Sequence, residues 1–356
     1  MEKYSQFRDR GTAIAPFFPV TSPPSGLLWM PVHLFLFAVR VPALLCFSIF
    51  YFTILRWLPV GSFAKKAVLW CMIGIPGIWW IDLQIDRVKR GSLNSKAALA
   101  RLPSAGTIIA SSLTSPLDAL YLAAIFDPIF TASYPGTRLV QRISLFRAMQ
   151  LALLPPQLVP QRSSVDKLVP LSEILARYPD ASVVVMPECT TTNGRGILPF
   201  SPSLLSTPPN TKIFPVNLRY TPGDITTPVP QEYLRWLWRL CSKPTHCIRV
   251  RVAECVYNNP TLTSPTPASS STSRSTGLDA AAKNSHETNF LDTTDIGDGS
   301  DTLIGSDDVE DGLTPDERRV LDRVAEDLAR LGRVKRVGLG VREKIEFMKV
   351  WGSRRR

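Results

Sequence analysis

Residues 183–200 read VVVMPECTTTNGRGILPF, an apolar run followed at once by an acid, a cysteine, three threonines and an arginine between two glycines. Ala181–Met186 is apolar except for Ser182, which is typical of a strand buried on both faces. Such strands belong to layered α/β folds, in which ligand sites form at the carboxyl ends of the strands. The polar residues after Met186 therefore indicate a site at the edge of a buried sheet.

Strands and helices alternate through the middle of the chain, from about Leu102 to Val256. Short apolar runs between turn residues predict the strands, and apolar residues at helical spacing predict the helices. We therefore expect an α/β fold with a mixed sheet flanked by helices. The predicted strands are 106–110, 129–132, 181–186, 213–218 and 247–256. Three helices are predicted: one that ends near residue 124, one over 139–153 and one over 168–178.

Two apolar segments near the start of the chain indicate a membrane. Leu27–Leu55 has no acidic residue and only His33 and Arg40 as basic residues, and Ala67–Ile81 has no charge at all. A spanning helix needs about 20 apolar residues, and a soluble helix would show a polar stripe. We predict a polar leader over 1–26 and a membrane-embedded helical hairpin over 27–85. Two core helices of a soluble domain are the alternative.

The predicted domains after the hairpin are an α/β domain over 86–257, an acidic insert over 258–312 and a basic helical segment over 313–356. The insert is rich in Ser, Thr, Pro and Asp and poor in aromatic residues, which predicts disorder. A capping box at Thr314–Glu317 starts a helix. The tail after Arg333 is either an amphipathic helix on an anionic membrane or a strand and helix that complete the core.

The net charge of +11 over 356 residues indicates an anionic partner. No nucleic-acid-binding motif accompanies the charge, so lipid phosphates and coenzymes are better candidates than nucleic acid. Six scattered cysteines do not form a disulfide framework, which is typical of a reducing compartment. Cys241, His246, Cys247 and Cys255 lie close together in the sequence, but their spacing matches no zinc module, and we expect no metal.

The segment after the buried strand resembles a motif of a known family. PECTTTNGRGILPF (187–200) resembles the Glu-Gly-Thr block of the glycerolipid and lysophospholipid acyltransferases. SLTSPLD (112–118) stands where the family has Asn-His-x4-Asp, ISLFR (143–147) where it has a second block, and FPVNLRY (214–220) resembles its proline-containing fourth block. The four blocks follow the family order over about residues 104–256. The resemblance implies a glycerol-3-phosphate acyltransferase-like fold at a membrane.

The resemblance also implies acyl transfer from an acyl-CoA to a lysophospholipid hydroxyl, with lysophosphatidic acid as the expected acceptor. Acyl-CoA is then a co-substrate, and no cofactor is bound permanently. Membrane lipids are the expected partners, and nucleic acid is not. The expected location is the endoplasmic reticulum membrane or a lipid droplet, with the catalytic domain facing the cytosol.

The family's general base is a histidine that an aspartate orients. Asp118 matches the aspartate, but Leu113 replaces the histidine and Ser112 replaces the asparagine. One interpretation is that Asp118, or a water that it holds, accepts the proton after desolvation raises its pKa. Another is a catalytically silent lipid-binding or tethering protein, and a third is a coenzyme A-independent transacylase or hydrolase. The three histidines, His33, His246 and His286, cannot be aligned with the motif.

By resemblance, the third block binds the phosphate of the acceptor. Hydroxyls, amides, glycine backbones and a guanidinium suit that task. Cys189 replaces a family glycine, and we expect a small buried side chain rather than a nucleophile. The predicted phosphate-binding residues are Glu188, Thr190, Thr191, Asn193, Gly194, Arg195 and Arg147, with Arg138, Arg142 and Arg219 as further candidates. Asp118 is the predicted catalytic residue, with Ser112, Leu113 and Thr114 beside it.

Overall fold

A computed structural model describes residues 2–22, 26–55, 57–58, 61–88, 99–160, 167–230, 232–259 and 313–353. The predicted acidic insert lies, from residue 260 onward, outside these residues. The helices are α1 (Met30–Ile49), α2 (Ser62–Gly74), α3 (Pro116–Phe126), α4 (Leu145–Leu151), α5 (Leu171–Arg177), α6 (Tyr233–Ser242), α7 (Pro315–Gly332) and α8 (Val341–Ser353). The strands are β1 (Ile78–Ile85), β2 (Ile108–Ser111), β3 (Ile129–Ser133), β4 (Val140–Ile143), β5 (Leu168–Val169), β6 (Val183–Val185), β7 (Gly196–Ile197), β8 (Lys212–Thr221), β9 (His246–Val252), β10 (Val256–Tyr257) and β11 (Lys335–Arg336).

The centre of the fold is a nine-stranded mixed sheet with the order β1-β9-β8-β2-β6-β3-β4-β5, in which β10 pairs with β8. Strand β2 is parallel to both of its neighbours, β6 and β8, and β9 runs antiparallel to β8. The expected mixed sheet flanked by helices is thus confirmed. Because β2, β6 and β8 are parallel, the segments that follow them meet at one edge of the sheet.

Helices cover both faces of the sheet, so the central strands read as continuous apolar runs. Ile109 and Val184 pack in a core with α2, α3 and α6. Their neighbours Ile108 and Val183 face a second core with α5 and α7. Side chains alternate along a strand, so a strand of five or six apolar residues supplies both cores.

The N-terminal apolar region divides into helix and strand. The helical stretch Met30–Leu55 has a mean hydropathy of 2.1 and is long and apolar enough to cross a membrane by length and composition. Helix α2 instead packs Leu69 and Met72 into the core beside α3. The predicted hairpin over 27–85 is wrong in its last part, because β1 pairs in parallel with β9 along the edge of the sheet. The alternation Ile81-Asp82-Leu83-Gln84-Ile85 is the strand signal that the apolar run concealed.

Helix α1 is tied to the α/β domain by one half-buried cation. Arg40 donates hydrogen bonds to the backbone carbonyls of Pro76, Cys241 and Pro244, at 3.3, 3.4 and 2.9 Å. Phe37 stacks on Trp238 of α6, with ring centroids 4.9 Å apart. Arg40 thus donates to carbonyls near the end of α6 that have no partner within the helix. A charged donor forms strong hydrogen bonds to such carbonyls.

Both ends of the chain pack together. Phe7 and Phe17 of the leader are buried in one cluster with Val337 and Phe347 from the C-terminal segment. The leader therefore contributes to the core, which its polar composition did not predict. Of the two alternatives for the C-terminal tail, the strand and helix that complete the core are confirmed by β11, which pairs with β7, and by the buried face of α8.

Two further predictions needed revision. The predicted helix 139–153 is the strand β4 followed by the short helix α4, and Ser144 between them caps α4 by accepting from the Arg147 N–H. The predicted helix 168–178 starts only at Leu171, because Pro170 lacks an N–H and separates the strand β5 from α5. In both places the apolar residues keep a helical spacing through the strand and into the helix that follows it, so the sequence pattern did not show where the strand ends.

Candidate active site

Asp118 is fully buried at the start of α3, at the carboxyl end of β2. Its Oδ2 accepts hydrogen bonds from the N–H of Thr114 at 2.6 Å, the N–H of Ser115 at 2.9 Å and the hydroxyl of Thr114 at 3.1 Å. Its Oδ1 accepts from the hydroxyl of Tyr220 at 2.5 Å. Asp118 thus completes a capping box with Ser115 and connects the first block to the fourth.

Burial raises the pKa of Asp118 to about 6, against the opposing effect of its hydrogen bonds, of which the bond from Tyr220 is the largest. A carboxylate with that pKa is still ionised near pH 7, and it is a stronger base than an ordinary aspartate. The desolvation that an aspartate base would require is therefore present at this position.

No imidazole takes the place of the family histidine beside Asp118 in the described part of the chain. Leu113 is buried in the apolar core, and its carbonyl accepts from the N–H of Thr192 at 3.1 Å. His246, at the start of β9, bonds through Nε2 to the carbonyl of Leu240 at 2.9 Å, and burial lowers its pKa. His33 belongs to α1, and His286 lies outside the described residues.

The third block meets the first block directly. The Thr192–Leu113 backbone bond joins them, and a Cβ on Gly194 would lie 3.7 Å from the Thr114 methyl group. Gly194 has φ +70°, a conformation that glycine adopts without strain. The loop after β6 therefore places its backbone against the segment that carries Asp118.

The leader holds this loop from outside. The Asn193 side-chain amide donates to the carbonyls of Ala15 at 2.8 Å and Phe18 at 2.9 Å. Its oxygen accepts from the N–H of Arg195 at 3.1 Å. With both ends of the amide in use, Asn193 shapes the loop, and Arg195 beside it is exposed.

A buried lysine from α8 holds the loop from the other side. The Nζ of Lys344 donates to the carbonyl of Thr191 at 2.5 Å and to its hydroxyl oxygen at 2.6 Å. The Thr191 hydroxyl in turn donates to the carbonyl of Thr227 at 2.7 Å. Burial lowers the pKa of Lys344 to about 7, against the opposing charge of Glu188. Lys344 was not among the predicted site residues, although its spacing of three from both Val341 and Phe347 puts it on the buried face of α8.

Glu188 is fully buried below the loop. Neither of its oxygens has a hydrogen-bond partner among the described residues. Burial raises the pKa of Glu188 to about 8, and the Leu198 backbone N–H, which lies outside hydrogen-bonding geometry, opposes the rise. Next to it, desolvation raises the pKa of the Cys189 thiol to about 12. At neutral pH that thiol is protonated, so Cys189 has the properties of a small packed side chain rather than of a nucleophile.

A cavity of about 400 Å³ opens where the first, third and fourth blocks meet. Thr114 and Gly194 line it at one end, and β8, β9 and the end of α7 form its other walls. Its described lining contains no acid and no histidine, so Asp118 reaches the cavity through the lining residues Thr114 and Tyr220, whose hydroxyls bond to it. Five arginines line the cavity: Arg195, Arg219, Arg249, Arg251 and Arg333. A second cavity near Trp236 holds about 10 Å³, too little for a substrate.

The remaining predicted residues lie elsewhere. Arg147 on α4 bonds to Gln150 at 3.3 Å and is not part of the described cavity lining. Arg138 forms a two-bond ion pair with Glu317 at 2.7 and 3.0 Å, and Arg142 stacks on Tyr178. Thr190 and Ser112 are buried. Of the predicted phosphate contacts, Gly194, Arg195, Arg219 and part of Asn193 face the cavity.

Fold and site together define an α/β protein that has a basic cavity at the carboxyl end of its central parallel strands and an apolar helix near the start of the chain. No family model matches the chain, and no solved structure matches it. The chain is 28% identical over 239 residues, 65% of its length and 77% of the relative, to a protein of Schizosaccharomyces pombe named putative lysophosphatidic acid:oleoyl-CoA acyltransferase. It is 23% identical over 203 residues, 56% of its length, to lysophosphatidic acid:oleoyl-CoA acyltransferase 1 of Saccharomyces cerevisiae, of which it covers 61%.

These similarities support the assignment of the chain to the glycerolipid acyltransferase family.

Proposed function

We propose that this protein transfers an acyl group from an acyl-CoA to the free hydroxyl of a lysophospholipid, with lysophosphatidic acid as the acceptor. The observation that carries the proposal is the cavity in which the Gly194–Arg195 turn lies against Thr114 and, through it, Asp118. The names of the two relatives supply the reaction and both substrates.

In this proposal Arg195 binds the phosphate of the acceptor. The guanidinium presents a planar set of donors that matches phosphate oxygens. The phosphate and the reacting hydroxyl of a lysophosphatidic acid belong to one glycerol unit, so they occupy neighbouring positions in the cavity. A Cβ on Gly194 would lie 3.7 Å from the Thr114 methyl group, and this closeness supports a phosphate site beside the residues that would handle the proton.

Asp118 acts as the base through a hydroxyl relay. The Thr114 hydroxyl donates to Oδ2 of Asp118, so it can accept the proton of the acceptor hydroxyl as it passes its own proton to the carboxylate. The new ester C–O bond forms as the thioester C–S bond breaks. The coenzyme A thiolate then takes the proton back from Asp118 by the same route. The pKa of about 6 suits a group that must both accept and release a proton near neutral pH.

We further propose that the stretch Met30–Leu55 associates the protein with the endoplasmic reticulum or with a lipid droplet, and that its catalytic domain faces the cytosol. Most of the side chains on this stretch are exposed or half-buried, and none in α1 is buried. Exposed apolar side chains over such a length favour contact with lipid. A lysophospholipid could then enter the cavity from the membrane.

The experiment is an assay of the purified protein in detergent with labelled oleoyl-CoA and lysophosphatidic acid. We expect labelled phosphatidic acid from the wild type and none from the Asp118→Asn variant. Lysophosphatidylcholine, in which a choline covers the phosphate, serves as the acceptor control. A wild type that binds both substrates without forming product would instead favour a silent lipid-binding protein. The structural argument for that alternative is that no described imidazole lies at Asp118. Product formed without coenzyme A would favour a transacylase.

A further inference from the structure

Three cavity arginines have a guanidinium without a hydrogen bond or ion pair among the described residues: Arg195, which the proposed function assigns to the acceptor phosphate, and Arg249 and Arg333. The guanidinium groups of Arg249 on β9 and Arg333 after α7 form no ion pair and no hydrogen bond with a described residue, yet both line the cavity. By contrast, Arg219 donates to the Gly332 carbonyl at 3.0 Å and Arg251 to the Leu331 carbonyl at 2.6 Å. The latter two satisfy the carbonyl end of α7, so their place in the cavity has a structural explanation. Arg249 and Arg333 have none.

Their arrangement lowers the stability of the empty protein. Arg219 and Arg249 lie directly opposite each other on the antiparallel strands β8 and β9, and like charges in that position are unfavourable. Burial first, and then the charges of Arg333, Arg249 and Arg219, lower the pKa of Arg251, so the four guanidinium groups lie close enough to interact. Asp82 faces Arg249 from β1, but no ion pair under 4.0 Å joins these two described residues. A bound anion would remove this repulsion.

The reaction proposed above brings two phosphorylated substrates into one cavity. The phosphate of the acceptor is close to its reacting hydroxyl, which fits Arg195 beside Thr114. The phosphates of coenzyme A are separated from the thioester by the long pantetheine arm, so they need a second site further away. Strand β9 is the second strand from β2, and strands are spaced about 4.8 Å apart, so Arg249 lies roughly 10 Å to the side of the strand that leads to Asp118.

We propose that Arg249 and Arg333 bind the phosphates of coenzyme A, separately from the acceptor phosphate at Arg195. This inference rests on the proposed function for the identity of the second phosphorylated substrate. Arg219 and Arg251, held on the end of α7, fix the wall from which Arg249 and Arg333 extend. Because guanidinium groups bind phosphate oxygens in pairs of hydrogen bonds, two of them can hold one phosphate group from two sides.

Binding of free coenzyme A tests the proposal without turnover. The full-length protein in detergent is titrated calorimetrically with coenzyme A, as wild type, as Arg195→Gln and as the double variant Arg249→Gln/Arg333→Gln. The matched control is Arg319→Gln, which removes an exposed arginine that pairs with Asp316 on α7. We expect the double variant to bind coenzyme A at least about tenfold more weakly, a change of about 1.4 kcal/mol. Arg195→Gln and Arg319→Gln should bind it like the wild type.

The KM values complete the test. The double variant should raise the KM for oleoyl-CoA and leave that for lysophosphatidic acid unchanged, and Arg195→Gln should do the reverse. Thermal unfolding confirms that each variant is folded, and Arg249→Lys, which keeps the charge but loses the planar donors, gives a second measurement if the double variant does not fold. Unchanged affinity for coenzyme A in the folded variants would overturn the proposal.

One further experiment distinguishes binding of the coenzyme A phosphates from binding of lipid phosphates on a membrane. Sedimentation with phosphatidylcholine vesicles that contain phosphatidic acid reports on lipid contacts. If the double variant loses vesicle binding and keeps its affinity for coenzyme A, the arginines contact the membrane and the inference is overturned. A wild type that binds coenzyme A through these arginines but forms no phosphatidic acid would leave the inference standing and refute the acyl transfer. The two failures are therefore distinguishable.

Discussion

Replacing Asp118 with asparagine separates its two roles, as the cap of α3 and as the proton acceptor. The amide has nearly the shape of the carboxylate. Its oxygen can accept from the Thr114 and Ser115 N–H groups, and its NH₂ can donate to the Tyr220 hydroxyl oxygen, which only has to turn its proton away. The backbone donors at the start of α3 stay satisfied, so we expect the variant to fold.

The pKa of Asp118 gives the expected change in stability. Its rise from 3.8 to about 6 through burial means that ionising it in the folded protein costs about 3 kcal/mol, at about 1.4 kcal/mol per tenfold change. Because the folded state holds its proton more tightly, the contribution of this group to stability is fully present below pH 3.8 and is lost as the pH rises to about 6. Asparagine does not ionise. The variant should therefore match the wild type at low pH and be up to about 3 kcal/mol more stable near pH 7.

Activity should change in the opposite direction. Without a proton acceptor, the formation of phosphatidic acid should fall by about 10²- to 10⁴-fold. Urea unfolding at several pH values measures the stability, and Asp118→Ala, which leaves the two amides uncapped, serves as the destabilised control. An asparagine variant with activity within a few-fold of the wild type would show that Asp118 only caps the helix. A variant less stable than the wild type near pH 7 would refute the desolvation argument.

Three other substitutions test the surroundings of the site. Tyr220→Phe removes the bond that lowers the pKa of Asp118, so the acidic limb of the kcat/KM profile, expected near pH 6 in the wild type, should move upward by about one pH unit; a limb that stays in place contradicts the coupling. Lys344→Met deprives the Thr191 carbonyl of its donor. It should lower the free energy of unfolding by about 1–3 kcal/mol and raise the KM for lysophosphatidic acid. The control Lys349→Met, at an exposed position of the same helix, should change neither quantity. Glu188→Gln removes a carboxyl whose pKa burial raises from 4.5 to about 8, so the stability advantage of the variant in urea unfolding should grow from pH 5 to pH 8; a constant difference would show that Glu188 is ionised in the fold.

The buried strands could be predicted because their signal is local. The apolar run before Pro187 and the one before Ser112 each end at the carboxyl edge of the sheet, and turn residues or helix caps follow directly. The resemblance of the blocks that follow then assigned Asp118 and Arg195 to the same site; in the structure Arg195 lines the cavity, and Asp118 lies behind the lining residue Thr114, whose hydroxyl donates to it. That Leu113 cannot serve as a base follows from its side chain alone.

Strand β1 and the leader were misjudged because their partners are distant in sequence. Trp79 and Trp80 are about 70% exposed, so their apolar character says nothing about the sheet. The short alternation over 81–85 is the local strand signal, and the pairing with β9 establishes the strand. The leader has two buried phenylalanines among polar residues, and their cluster is completed by Val337 and Phe347 from the other end of the chain. A pattern within one segment cannot reveal such contacts.

By itself, the sequence determined the α/β class, the position of the polar loop after β6, the loss of the family histidine and the excess of positive charge. Only the tertiary structure decided what these features do. Folding closes Asp118 off from water and leaves two hydroxyls as its connections to the cavity. It also brings Lys344 under the loop, and it gives the guanidinium groups of Arg249 and Arg333 no partner among the described residues. The physical reason is that pKa values, hydrogen-bond partners and unpaired charges depend on which distant segments remove water from a group and which supply its neighbours.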